Sequence, residues 1–161
     1  MKEIKYEAIG EVRSSFKEPE GTPIQPTSSG TEEGKIILGQ KYKKGLKDLE
    51  GFSHLIILYH CHKAGEYSLQ TKPFMEDEKH GVFSIRAPSR PNSIGLSVVK
   101  LDRIEDNILF IKNVDMLDST PVIDIKPYVP QFDDRENVKI GWLEDNIEKL
   151  SETEDDGRFS G

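Results

Sequence analysis

Residues 94–114, IGLSVVKLDRIEDNILFIKNV, decide the fold class. Ile94 to Ile104 and Ile108 to Val114 are β-branched and apolar runs, joined by Glu105-Asp106-Asn107, a turn too short for anything but a hairpin. Working outward, Val122 to Ile125 is another short strand before Lys126-Pro127-Tyr128-Val129-Pro130. On the other side, Gly81 to Arg86 reads as a strand entering a proline-bearing turn, and Ser53 to His62, SHLIILYHCH, as a buried central strand. Gly34 to Leu38 and Tyr6 to Val12 add two more, while Tyr42 to Leu49 reads as a brief helical turn. Many short strands with little helical periodicity before residue 138 predict a mostly β fold, a small single-domain barrel or sandwich.

The chain has 161 residues, enough for one sizeable core, so the barrel is expected over 1–132. Val138 to Leu150 places Ile140, Leu143, Ile147 and Leu150 at helical spacing, which predicts a C-terminal helix. The closing SETEDDGRFSG is polar enough to predict disorder, so 133–161 is expected to be a helix and an acidic tail. Of the net charge of −7, most lies here: ten acidic and four basic residues fall between Asp133 and Gly161. The first 132 residues are therefore nearly neutral, which leaves room for a local basic surface. No apolar run approaches the roughly 20 residues that span a bilayer, and the single cysteine, Cys61, has no internal disulfide partner. A soluble, cytoplasmic protein is expected.

Between Arg86 and Ser97, RAPSRPNSIGLS compresses two arginines, two prolines, an asparagine and three serines. Pro88 and Pro91 fix φ and hold the polar groups in place, while Arg86 and Arg90 offer planar donors for phosphate or carboxylate. Without further information, a rigid loop with internally paired arginines explains the segment equally well. A second cluster, Asp115-Met116-Leu117-Asp118-Ser119-Thr120-Pro121, puts two carboxylates in a polar turn between strands, where loop backbone can meet a ribose or an amino acid group. His60 and His62 share a strand face, but no second pair completes a metal-ligand spacing, so no metal is expected. There is no GxGxxG after a strand, no P-loop lysine and no GxSxG elbow.

Several stretches together resemble the TrmO family of tRNA methyltransferases, also called TsaA-like or YaeB-like. They are Ile9-Gly10 with Val12-Arg13-Ser14 and Lys17-Glu18, Pro23-Ile24-Gln25-Pro26, Leu49-Glu50-Gly51-Phe52-Ser53-His54-Leu55, Gly81-Val82-Phe83 with Arg86, Arg90-Pro91-Asn92-Ser93-Ile94-Gly95-Leu96-Ser97, and Asp118-Ser119-Thr120-Pro121-Val122-Ile123-Asp124-Ile125-Lys126-Pro127-Tyr128. The resemblance implies a single S-adenosylmethionine-dependent β-barrel domain, a homodimer with the cofactor near the subunit interface, and N6-methylation of threonylcarbamoyl adenosine beside the anticodon of tRNA. It implies cofactor contacts from Pro23, Ile24 and Gln25, from His62 and Lys63, from Arg86 and Leu96, and from Met116, Leu117, Asp118 and Ser119. Arg13, Arg90 and Asn92 are the candidates for orienting the tRNA, and Asp115 or Asp118 for receiving the proton that leaves the nitrogen. Longer members carry a further C-terminal domain that this sequence lacks, so any tRNA contacts made there would have to come from elsewhere. Two other readings stay open: methylation of another RNA or a small molecule, and a non-catalytic module that senses S-adenosylmethionine.

Overall fold

A computed structural model of the chain describes residues 1–24, 31–74, 77–148 and 153–160. The hairpin expected at residues 94–114 is its longest feature. β6 (Ile94–Glu105) and β7 (Ile108–Lys112) pair antiparallel across a two-residue turn in which Asp106 adopts φ 56°. β1 (Gly10–Arg13), β2 (Glu33–Leu38), β3 (His54–His60) and β8 (Pro121–Pro127) complete a closed six-stranded barrel in the order β1-β2-β7-β6-β3-β8. β4 (Gln70–Thr71) and β5 (His80–Gly81) form a separate two-stranded ribbon. Closure removes the exposed edges of an open sheet.

The seam of closure is short. β1 meets β8 through Gly10–Val122 and Glu11–Pro121, and β2 through four pairs from Gly10–Leu38 to Arg13–Lys35. A Cβ on Gly10 would lie 2.6 Å from the Ile37 carbonyl oxygen, so only glycine lets the strands approach this closely. Alternation then sorts side chains: Leu55 and Ile57 on β3, Val99 and Leu101 on β6, Leu109 and Ile111 on β7 turn inward and meet Val12, Ile36, Val122 and Met116 in one core. Burying each such aliphatic side chain contributes roughly 1.5–3 kcal/mol.

The chain departs from the sequence expectations in four places. The first strand starts at Gly10, not Tyr6, because Ile4 and Tyr6 are exposed and pair with nothing in the sheet. Gly81–Arg86 is not a strand: Val82–Ser84 is a 3-10 turn that sinks Val82 while leaving Phe83 outside. Within Val138–Leu150 the described residues form no continuous helix. Gly141 takes φ 60°, a left-handed conformation that interrupts the α-helical path, and the described residues make only short 3-10 turns, at Gly141–Leu143 and at Ile147 and Glu148. The acidic tail is also ordered where it is described. Residues 153–160 pack back on the domain, with Phe159 buried against Ile85, Ala87, Phe74 and Trp142. Among the described residues the one α-helix, α1 (Pro130–Asp133), is a single turn begun by Pro130 at its first position.

Candidate active site

Two loops meet at the β1–β8 seam. After β7, Asn113 turns the chain with φ 61°, and Val114 and Met116 plug into the core; Asp115 turns inward to Ser97, while Leu117, Asp118 and Ser119 are partly or fully exposed. The loop after β1 is laced to this turn. Ser14 Oγ donates to the Met116 carbonyl at 2.7 Å and Ser14 N–H to Asp118 Oδ1 at 3.1 Å. Asp118 N–H donates to the Phe16 carbonyl at 2.7 Å and Ser119 N–H to the Val12 carbonyl at 2.8 Å. Arg13 donates to Ser119 Oγ at 3.0 Å.

Cations gather on this turn. Lys17 Nζ lies 2.8 Å from Asp118 Oδ2 and Arg13 3.6 Å from the same oxygen. The Lys17 hydrogen bond, opposed by partial burial and helped by the Ser14 N–H, holds the Asp118 carboxyl below its ordinary range. Just after β3, Lys63 Nζ reaches the Lys17 carbonyl at 2.7 Å and Glu18 at 2.9 Å, and His62 Nδ1 lies 3.4 Å from Thr120 Oγ1. Burial first, then the neighbouring Lys63 and His60, pushes the His62 imidazole below its ordinary range, which favours its neutral form. Thr22, whose Oγ donates to the Glu18 carbonyl at 2.8 Å, ties the start of the Pro23 segment to the loop that holds Lys63, and Pro23 itself bridges Glu154. The structure thus joins Arg13, Pro23, His62, Lys63, Asp118 and Ser119 in one network of loops.

Behind the turn sits a second group, in which the sequence candidate Asp115 meets partners that composition and motifs do not connect to it. Ser97, fully buried on the inward face of β6, donates to Asp115 Oδ1 at 2.6 Å and lies 3.2 Å from the Tyr59 hydroxyl. Burial pushes the Asp115 carboxyl up to about 6, against the Ser97 hydrogen bond. The same burial, aided by the Asp115 charge, raises Tyr59, and burial lifts the Cys61 thiol to about 11. The Tyr59 ring reaches Ser97 only because Gly95 faces it: a Cβ there would lie 2.2 Å from Tyr59 Cε2. The signal available in the sequence is small, a serine at an inward position of a strand that is otherwise apolar.

The loop 86–93 places its two arginines differently. Arg86 is exposed between buried Ile85 and Ala87. The Arg90 guanidinium turns inward and donates to the Ile85 carbonyl at 3.0 Å and the Ala87 carbonyl at 3.3 Å, so it holds the loop itself. Asn92 is exposed and its carbonyl accepts from Ile94 N–H at 2.7 Å. Leu96 stands on the outer face of the barrel, opposite in direction to Ser97 and away from the Asp118 turn's interior contacts. The Met116 side chain is a core residue, leaving its backbone to face the loops. Gln25 lies outside the described residues.

Residues 11–134 match the family described as tRNA-methyltransferase O N-terminal domain. A Pyrococcus abyssi protein named probable S-adenosyl-L-methionine-binding protein is 54% identical over 156 residues, covering 97% of this chain and 85% of that protein. The human protein named tRNA (adenine(37)-N6)-methyltransferase is 35% identical over 154 residues, 91% of this chain but 35% of its own length. The crystal structure of TrmO from Pseudomonas aeruginosa superposes with a TM-score of 0.74 at 35% identity, over 88% of this chain and 63% of that one. The closed six-stranded barrel and the matched span together place the chain in one family. It belongs to the family of the tRNA-methyltransferase O N-terminal domain.

Proposed function

We propose that this protein is an S-adenosylmethionine-dependent tRNA methyltransferase of the cytoplasm that methylates N6 of threonylcarbamoyl adenosine beside the anticodon. The observation that carries the reading is the lacing of the 13–18, 62–63 and 115–120 loops into one polar cradle at the barrel seam. The donor set suits a zwitterionic nucleoside. Ile24 and Leu117 offer apolar walls, Lys63 and Arg86 offer cations for a carboxylate, and Asp118, Ser119 and the Met116 backbone offer acceptors and donors for an ammonium and a ribose. Pro23 and His62 frame the same cradle. Residues 1–132 carry the chemistry and 133–161 brace it.

The bound cofactor supplies an electrophilic methyl group on a cationic sulfur, which needs alignment and exclusion of water, not a covalent nucleophile. The chain's own tasks are to orient the acceptor and take a proton. The two candidate carboxylates are not equivalent for the second task. Asp118 is committed to Lys17 and Ser14, which hold its carboxyl below its ordinary range, whereas Asp115, bonded to Ser97 and held near 6, can accept a proton close to neutral pH. Asp115 is therefore the acceptor, and Asp118 fixes the turn. Arg13 orients the RNA directly, with the exposed Asn92, while Arg90 acts through the shape of the loop it holds.

The homodimer forms on the outer face of β3 and β6. Ile56 and Leu58 pair there with Val98 and Leu96, and Ile94 extends the stripe, leaving Leu96 51% and Ile94 43% exposed. This face puts Leu96 at the junction between subunit and cofactor. Incubation with methyl-labelled S-adenosylmethionine and tRNA from a strain lacking the gene tests the reading. Label in threonylcarbamoyl adenosine is the expected result. Label in another nucleoside changes the acceptor, and tight cofactor binding without transfer makes the protein a sensor.

A further inference from the structure

Residues 153–160 form a strap that touches four peripheral segments, around residues 21–23, 64–65, 73–74 and 85–89. Asp155 N–H donates to the Thr22 carbonyl at 2.9 Å and Gly21 N–H to the Asp155 carbonyl at 2.7 Å, beside a bridge between Pro23 and Glu154. Further on, Gly65 N–H donates to the Phe159 carbonyl at 2.9 Å, and Ser160 bridges Ala64. Ser89, itself 4% exposed, donates to the same Phe159 carbonyl at 2.7 Å. Arg158 donates to the Pro73 carbonyl at 2.8 Å and rests its guanidinium over Phe74.

One side chain pins this strap. Phe159 is 6% exposed and meets Phe74 edge to face with centroids 4.9 Å apart, between Ile85 and Ala87. Trp142 packs on the same group and anchors it, donating its indole N–H to the Ser84 carbonyl at 2.9 Å and stacking on His80. These residues form a hydrophobic cluster distinct from the barrel core. Phe159 therefore contributes little to the barrel itself. Phe159 lands beside Arg86 and, through Gly65, two residues from Lys63, while Glu154 and Asp155 of the same strap reach Pro23 and Thr22, so the pinned strap touches three different loops.

We infer that Phe159 is a positioning residue: it clamps the Pro23, Lys63 and Arg86 loops into the arrangement that receives S-adenosylmethionine. Holding loops in their bound arrangement removes an ordering cost that binding would otherwise bear. The inference rests on the cofactor reading proposed above, so its test separates the two. Cofactor affinity by calorimetry, KM and kcat, thermal unfolding and limited trypsin digestion are measured on the full chain, on Phe159→Ala, on Phe159→Leu and on Ser89→Ala.

The expected result for Phe159→Ala is a Kd and KM for S-adenosylmethionine raised about tenfold, kcat nearly unchanged, and a barrel melting transition close to wild type. Phe159→Leu restores most of the affinity, and Ser89→Ala shows a smaller loss in the same direction. Trypsin cuts Phe159→Ala faster after Lys63 and Arg86 than it cuts the wild type. Unchanged affinity in Phe159→Ala, or an affinity loss that merely follows a lost melting transition, overturns the inference. If the wild-type chain binds no S-adenosylmethionine, the cofactor reading fails, and the trypsin comparison decides whether Phe159 still clamps the loops.

Discussion

Asp115 and Asp118 stand three positions apart in one turn and their environments drive them in opposite directions. Asp118 faces Lys17, Arg13 and the Ser14 N–H and stays ionised. Asp115 points to Ser97 and away from water, and its carboxyl rises to about 6. Asp115→Asn should therefore lower kcat by about 10²–10⁴-fold with KM for cofactor little changed, the usual worth of a general base. Wild-type kcat should rise through a limb near pH 6, and the variant should lack that limb. The stability effect has the opposite sign. A folded carboxyl titrating above its unfolded value of about 3.9 makes the native state lose stability as pH rises from about 4 to 6. Asp115→Asn should thus be more stable than wild type above pH 6, by about 1–3 kcal/mol, and equal to it below pH 4, as chemical denaturation at several pH values would show. Arg86→Ala should weaken S-adenosylmethionine binding about 10–100-fold, the worth of a lost charge-assisted hydrogen bond, with the melting temperature retained. The Asp-Ser-Thr-Pro turn that carries Asp118 is readable in the sequence because short polar residues mark turns. Asp115's partner is not readable, because Ser97 comes from a strand eighteen positions earlier and its inward direction depends on barrel register. The same holds for Arg90, whose type suggests RNA phosphate but whose head is spent on two carbonyls of its own loop.

At the level of elements, β6 and β7 are legible from Ile94–Val114 because β-branched runs around a short polar turn leave few alternatives. Gly95 within β6 is the element's most constrained position. Gly95→Ala would drive a Cβ into the Tyr59 ring, displace the Tyr59 hydroxyl from Ser97, and lower stability by about 1–3 kcal/mol, as overpacking does. Urea unfolding would measure it, and an unaltered midpoint would mean that the ring swings aside freely. Helical spacing misleads at Val138–Leu150, where Ile140, Leu143 and Ile147 match an apolar stripe. Gly141 supplies a left-handed turn inside that stripe, and Trp142 is drawn to Ser84 and His80, so tertiary packing takes the residues that a helix face would have used. Acidic composition is a poor guide over 153–160, where Phe159 buries its ring among Ile85, Ala87, Phe74 and Trp142 despite the surrounding charges.

For the molecule as a whole, the class of fold follows from many short strands, whereas the strand order β1-β2-β7-β6-β3-β8 does not. That order depends on which long loops cross, and it alone brings the loop after β1 against the loop after β7. Closure also leaves one outer face apolar, and a charge placed there should be costly in a dimer. Ile94→Asp should give a monomer by light scattering while wild type gives a dimer, since an unpaired charge is poorly tolerated in a buried interface. The concentration of acidic residues in 133–161 leaves the first 132 residues near neutral, and on the proposed reading the cations at the seam are the candidates to hold RNA. The direct test of the account is nucleoside analysis of tRNA from a strain lacking the gene, before and after incubation with the purified protein and S-adenosylmethionine. Conversion of threonylcarbamoyl adenosine to its N6-methyl form, lost in Asp115→Asn, is the predicted result. Unmodified threonylcarbamoyl adenosine under conditions where the protein binds both S-adenosylmethionine and tRNA would contradict it.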